Sequence, residues 1–150
     1  MTLRVDFYVL KSEAAAQRRS FACRLVEKAY LHDLSVVVWS ADPAEAAALD
    51  EQLWTFSERS FVPHRLCGAS EAPDPGTPVH VTADLGAVAR ADLLVNLSDR
   101  LPEGLERFAR LAEVIDADAD RRRLGRERFK SYRELALSPQ THQLDDAGEQ

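Results

Sequence analysis

Glycine, cysteine and long apolar runs are scarce in this chain, and each scarcity removes a class of function. Six glycines occur in 150 residues, and none lies in the KSEAAAQ stretch that follows the first apolar segment. G-x-G-x-x-G and G-x-x-x-x-G-K-[ST] are both absent. Without glycine the backbone cannot approach a pyrophosphate closely, which argues against conventional dinucleotide binding. Cys23 and Cys67 form neither a disulfide framework nor a zinc pattern and are expected as two free thiols. His32, His64, His80 and His142 lack the spacing of metal ligands. No apolar run reaches about 18 residues, so no membrane helix is expected. The start, MTLRVDFYVL, has no basic region, apolar core and cleavage site in series. These features predict a cytoplasmic protein without a cofactor, a metal or a membrane contact.

What is present is an ordinary globular composition, 45% apolar and 29% charged, at a length that suits one domain with one substantial core. Val5 to Leu10 reads as a first strand, and Ser12 as the cap of a helix running to about His32. That helix buries Ala22, Leu25, Val26 and Ala29, with Arg18, Arg19, Glu27 and Lys28 mostly in water. Val36 to Trp39 is apolar without alternation, the pattern of a strand covered on both faces. Asp42-Pro43-Ala44-Glu45 starts a second helix, with Glu45 reaching back, that ends near Thr55. Residues 68–78 form a turn-rich loop. Val79–Val81 and Leu93–Leu97 are further strands. Pro102 to Arg107 looks helical, and Leu111 to Ile115 suits another strand. Strand, helix, buried strand opens a mostly parallel α/β sheet flanked by helices. The folded domain is expected over 1–137, with a polar, acidic and partly disordered tail over 138–150.

One segment reverses the charge of its host. Arg121 to Arg133, RRRLGRERFKSYR, holds seven of the 19 basic residues and one acid, Glu127; the other 12 bases face 24 acids. Asp118 or Asp120 can cap this stretch as a helix. Arg122, Arg126, Lys130 and Arg133 then share one face, beside a stripe of Gly125, Phe129, Tyr132 and Ala136. Such a face can be merely solvated, or it can receive an anion with an apolar end. Nucleic acid and an acidic peptide both qualify as anions. The negative charge of the whole chain disfavours a DNA duplex, so a peptide or a small anion fits better.

A second motif lies mid-chain. Leu49-Asp50-Glu51-Gln52-Leu53-Trp54 is followed by Ser60-Phe61-Val62-Pro63-His64, which sets two large aromatics where a helix meets a loop. Exposed Trp and Phe commonly anchor protein contacts; the same residues can instead close the end of the core. His64 three residues from Cys67 imitates a Cys–His pair, although closeness in sequence does not make a dyad.

The LDEQLW helix end, the SFVPH loop, the LLVNL strand and the GRERFKSYR helix, in that order, resemble the chi subunits of bacterial DNA polymerase III. The resemblance covers the chain to about Leu137. It implies a single-domain Rossmann-like fold and a non-catalytic accessory subunit of the DNA-directed DNA polymerase complex in the bacterial replisome. It further implies binding of the acidic C-terminal tail of single-stranded DNA-binding protein through Arg122, Arg126, Phe129 and Lys130. Arg126 would meet the terminal carboxylate as a bidentate fork. Phe129 stands where relatives can carry Tyr, keeping the packing surface without the phenolic hydrogen bond. Trp54, Phe61, Val62, Pro63 and His64 map to the surface that joins psi or an equivalent clamp-loader or helicase partner. Nucleic acid would be met only indirectly. The competing class is an α/β enzyme or small-anion-binding protein that uses the Arg-rich helix on a phosphate or carboxylate.

Overall fold

A computed structural model describes residues 3–59, 61–68 and 72–144. Ser60, residues 69–71 of the expected loop and residues 145–150 of the expected tail lie outside the described residues. The chain runs β1 (Arg4–Val9), α1 (Ala15–Leu31), β2 (Val36–Trp39), α2 (Pro43–Thr55), β3 (His64–Cys67), β4 (Val79–Thr82), β5 (Ala91–Asn96), β6 (Phe108–Ile115), α3 (Ala119–Glu134) and β7 (Gln140–Gln143). The strands make one parallel sheet in the order β3-β4-β2-β5-β6-β1-β7. This is the single-domain Rossmann-like α/β fold.

Alternation along the strands divides the core between two faces. Val36, Val38, Val79, Val81, Val95 and Val114 pack against Phe21, Ala22 and Val26 of α1 and Leu49 and Leu53 of α2. Val5, Phe7, Val37, Trp39, Leu94, Leu111 and Ile115 face the other way, toward Tyr132 of α3. Helix starts follow local chemistry. Asp42 accepts from the Ala44 N–H at 3.0 Å, and Asp118 accepts from the Arg121 N–H at 2.9 Å, each satisfying an otherwise orphaned donor.

Several expectations are corrected. Ser12 does not cap α1; its hydroxyl accepts from the Ala14 N–H, and the helix begins at Ala15 with Ala14 as its cap. Arg18 is not in water but 3% exposed, because the first turn of α1 sets it against backbone carbonyls at the carboxyl ends of β5 and β6. Its guanidinium donates to the carbonyl of Val114 at 3.0 Å and to that of Leu97, and faces Glu45 at 3.5 Å. Glu45 therefore turns to Arg18 and to the Ser40 hydroxyl (2.9 Å) instead of reaching back to its own helix start. The expected helix at Pro102–Arg107 is only a 3₁₀ turn over Leu105–Arg107. β3 had no expectation. The expected tail from residue 138 contains β7, paired in register with Asp6–Val9 of β1 and followed by the buried Leu144.

α3 is held by a buried charge. Glu113, fully buried on β6, accepts from Arg128 Nε and Nη2 at 3.1 Å each, from the Tyr132 hydroxyl at 2.5 Å, and from Asn96 Nδ2 of β5 at 3.0–3.1 Å. Arg128 Nη1 donates on to the Asp99 carbonyl at 3.0 Å. Burial, and then the neighbouring carboxylate, push the Tyr132 hydroxyl well above its ordinary range, so it remains a donor. Burying a charged group is costly unless it is paired and hydrogen-bonded, and here both carboxylate oxygens are. Glu113→Ala would leave the Arg128 guanidinium buried and unpaired. It should cost about 3–5 kcal/mol in denaturant unfolding, with amide protection lost first in α3. Full stability in that variant would show that the network does not hold the helix.

Candidate functional site

The charged residues of α3 divide by what they touch. Arg128 is buried on Glu113. Arg121 grips the buried Asp116 with two bonds, Nε at 2.8 Å and Nη2 at 2.7 Å. Arg122 donates Nε to the Asp116 carbonyl and Nη2 to the Leu10 carbonyl, both at 3.2 Å, which holds its guanidinium at the carboxyl ends of β1 and β6. Arg123 is exposed and makes long contacts with Asp120 and Glu127. Arg126, Lys130 and Arg133 are exposed, without an ion pair among the described residues.

Beneath the first half of α3 lies a cleft of about 280 Å³ lined by Phe7, Val9, Ile115, Arg122, Gly125, Arg126, Phe129, Thr141 and Gln143. Val9, Ile115 and Gln143 are paired across the sheet and end their strands. The cleft thus opens where parallel α/β sheets usually bind ligands, outside the carboxyl ends of strands. Its floor is apolar, and the Phe7 and Phe129 rings meet at 5.1 Å in a tilted contact. Its rim carries Arg126 and Arg122. Three of the four residues expected to bind an anion therefore line one cavity; Lys130 stands one turn further along α3 and does not line it. Phe7, Val9, Ile115, Thr141 and Gln143 were not anticipated. The i, i+2 spacing of Phe7 and Val9 signals a shared face, but nothing local in sequence reveals that β6 and β7 flank them.

The second motif forms a platform at the far edge of the sheet. Phe61 is 67% exposed and Trp54 47%, with ring centroids 5.6 Å apart. The His64 ring lies 4.1 Å from that of Trp54. Val62 and His64, two of the five expected contact residues, offer almost no surface: Val62 is 0% exposed and the His64 side chain is likewise buried. The His64 ring nitrogens face the carbonyl oxygens of Val62 at 2.7 Å and Asp50 at 2.8 Å, so His64 fastens α2 to the segment entering β3. Pro63 is half-buried. Cys67 lies three residues on, where a strand turns its side chain to the opposite face, and packs in the α3-side core. The fold does not build a Cys–His dyad from these two. Burial pushes the other thiol, Cys23, up to about 12, which makes it a poor nucleophile. β3, beside the platform, and β1, at the centre of the cleft, are five strand-to-strand steps of about 4.8 Å apart, roughly 24 Å along the sheet.

The Arg121–Asp116 pair fixes the start of α3 and has a pH signature. Burial works to raise the Asp116 carboxyl, but the Arg121 guanidinium and the Asp118 N–H outweigh it and hold the group below the ordinary aspartate range. The native state then binds this proton less readily than the unfolded chain. The associated stability is present above about pH 4 and is lost as pH falls through the lower native value. Arg121→Gln should shift the acid-unfolding midpoint, followed by circular dichroism, to higher pH. An unmoved midpoint would mean that the pair does not contribute.

A family profile described as DNA polymerase III chi subunit, HolC, matches residues 1–140. The DNA polymerase III subunit chi of Pseudomonas aeruginosa is 37% identical over 141 residues, covering 94% of this chain and 96% of that protein. The protein of the same name from Haemophilus influenzae is 30% identical over 135 residues, 89% and 92% of the two chains. That from Escherichia coli is 28% identical over 132 residues, 85% and 88%. With the match running from β1 through the aromatic platform and α3, this chain belongs to the family of DNA polymerase III chi subunits.

Proposed function

We propose that this chain is a non-catalytic accessory subunit of the bacterial DNA polymerase III holoenzyme that joins two partners. The cleft beneath α3 receives the acidic C-terminal tail of single-stranded DNA-binding protein. The Trp54–Phe61 platform takes psi or an equivalent clamp-loader or helicase partner. The observation that carries the first part is the pairing, in one cavity, of an apolar floor with an exposed arginine, Arg126, that has no ion-pair partner among the described residues. A free chain terminus has both complementary features, a carboxylate and a side chain to bury. Arg126 receives the carboxylate, Arg122 braces the rim, and Phe129 with Phe7 packs on the final side chain. Lys130, outside the cavity, attracts the acidic residues upstream. The exposed aromatics carry the second part. Their distance from the cleft leaves both contacts free to form together.

The magnitudes suit a reversible tether. Burying one large apolar side chain contributes roughly 1.5–3 kcal/mol, and exposed ion pairs contribute about 0–1 kcal/mol each. After the ordering cost of a flexible peptide a Kd of ~1 μM, about −8 kcal/mol, is reasonable.

Calorimetric titration with the C-terminal peptide of the same organism's single-stranded DNA-binding protein tests this, beside a peptide lacking the last residue. Binding should be micromolar, weaken with salt, and vanish on truncation. Arg126→Ala should weaken it by about 1.5–3 kcal/mol, the scale of a hydrogen bond to a charged group, with folding intact. Stabilisation by nucleotides or sugar phosphates, with no response to the peptide, would replace this reading with a small-anion-binding protein. Phe61→Ala should disrupt the other partner's binding in a pull-down while tail affinity is unchanged. Unfolding of that variant would return Phe61 to the core.

A further inference from the structure

Gly125 stands in the middle of α3, where glycine costs about 1 kcal/mol relative to alanine. It has no positive φ to justify it. A Cβ placed there would sit 2.3 Å from Cδ1 of Ile115, while the next atoms, Cγ1 and Cγ2, lie at 3.5 and 3.9 Å, ordinary contact distances. The clash is therefore with a single methyl group. Ile115 is 5% exposed, closes β6, and lines the cleft together with Gly125. Only because Gly125 lacks a side chain can that methyl lie beneath the helix. With a Cβ present it must swing out or α3 must lift, and the α3 anchor on Glu113, only one turn away at Arg128, opposes lifting.

We propose that Gly125 and the Ile115 δ-methyl together set the depth of the cleft, and so the size of the terminal side chain it accepts. This rests on the reading of the cleft as a site for a peptide terminus. Gly125 is then a specificity-determining residue: it touches the ligand little, and it governs where the floor lies. Substitution to alanine should raise the floor by about one methyl group, which in an apolar pocket discriminates ligands by about 10- to 200-fold. The loss should fall on large terminal residues and spare small ones.

The test combines a rescue with a local probe. Acidic peptides identical except for a terminal Phe, Leu or Ala are titrated into the full chain, Gly125→Ala, Ile115→Val and the double variant. Gly125→Ala should lose about tenfold or more for the Phe and Leu peptides, and little for Ala. The double variant, lacking the one atom a Cβ would meet, should regain the affinity for large ends. Ile115 is the only isoleucine in the sequence, so δ-methyl labelling gives one resonance inside the cleft. In the parent chain it should shift on peptide addition, and in Gly125→Ala it should already be displaced without peptide. Equal losses for all three peptides, or no rescue by Ile115→Val, would overturn the depth assignment while leaving tail binding in place. No binding by the parent chain, with the Ile115 methyl unmoved, would overturn the tail-binding reading and this inference with it.

Discussion

The buried carboxylate of Glu113 is the constraint around which the α3 side of the molecule is organised. A charge placed in the middle strands of a parallel sheet cannot reach water, so its donors must come from the protein. β5 supplies one through Asn96, and α3 supplies the others through Arg128 and Tyr132. Arg128 and Tyr132 are spaced i, i+4, so both fall on one helix face. Satisfying Glu113 therefore fixes the rotation of α3 about its axis as well as its distance from the sheet. Once that rotation is set, Gly125 is directed at Ile115, Phe129 at Phe7, and Arg126 and Lys130 toward solvent.

The same constraint explains why a cluster of seven basic residues is not one uniform patch. Arg121 and Arg128 are held by Asp116 and Glu113, two acids with no exposed surface. Arg122 is half committed, through backbone carbonyls. What reaches solvent is a smaller and more directional set, led by Arg126 beside an apolar cleft. A broad basic face would favour any polyanion, whereas arginine at the mouth of an apolar slot favours an anion attached to something apolar.

The sequence made β1, β2, β5 and α2 legible because each is a contiguous apolar or well-capped stretch whose neighbours matter little. The edge strands β3 (HRLC) and β7 (QTHQ) were not, because edge strands tolerate polar residues that face water, and such residues read as loop. The buried arginines were equally hidden. Composition counts Arg18 and Arg128 as surface charge, and their burial depends on carbonyls and a carboxylate 15 or more residues away in sequence. For the site, the helix and its cations were readable from period and charge. The floor was not, since Phe7, Val9, Ile115 and Thr141 come together only through the parallel register of β6, β1 and β7. At the platform, composition could rank Trp54 and Phe61 as contact residues but could not separate them from Val62 and His64, which the α2–β3 junction turns inward.

The placement of the two surfaces bears on how such a subunit would work. A parallel sheet covered on both faces is close-packed and stiff. The cleft uses β6, β1, β7 and α3, the platform uses α2 and the entry to β3, and they share no residue. Two ligands couple energetically when each favours one of two alternative arrangements of the same element, and among the described residues the two sites draw on different helices and strands. On the proposed reading, joining two partners therefore needs no change of shape. The sheet acts as a spacer that raises the local concentration of one partner near the other, and avidity follows from the linkage itself. Weak binding at the cleft then serves the purpose, because a tether that must release and recapture tails gains nothing from a tighter individual grip.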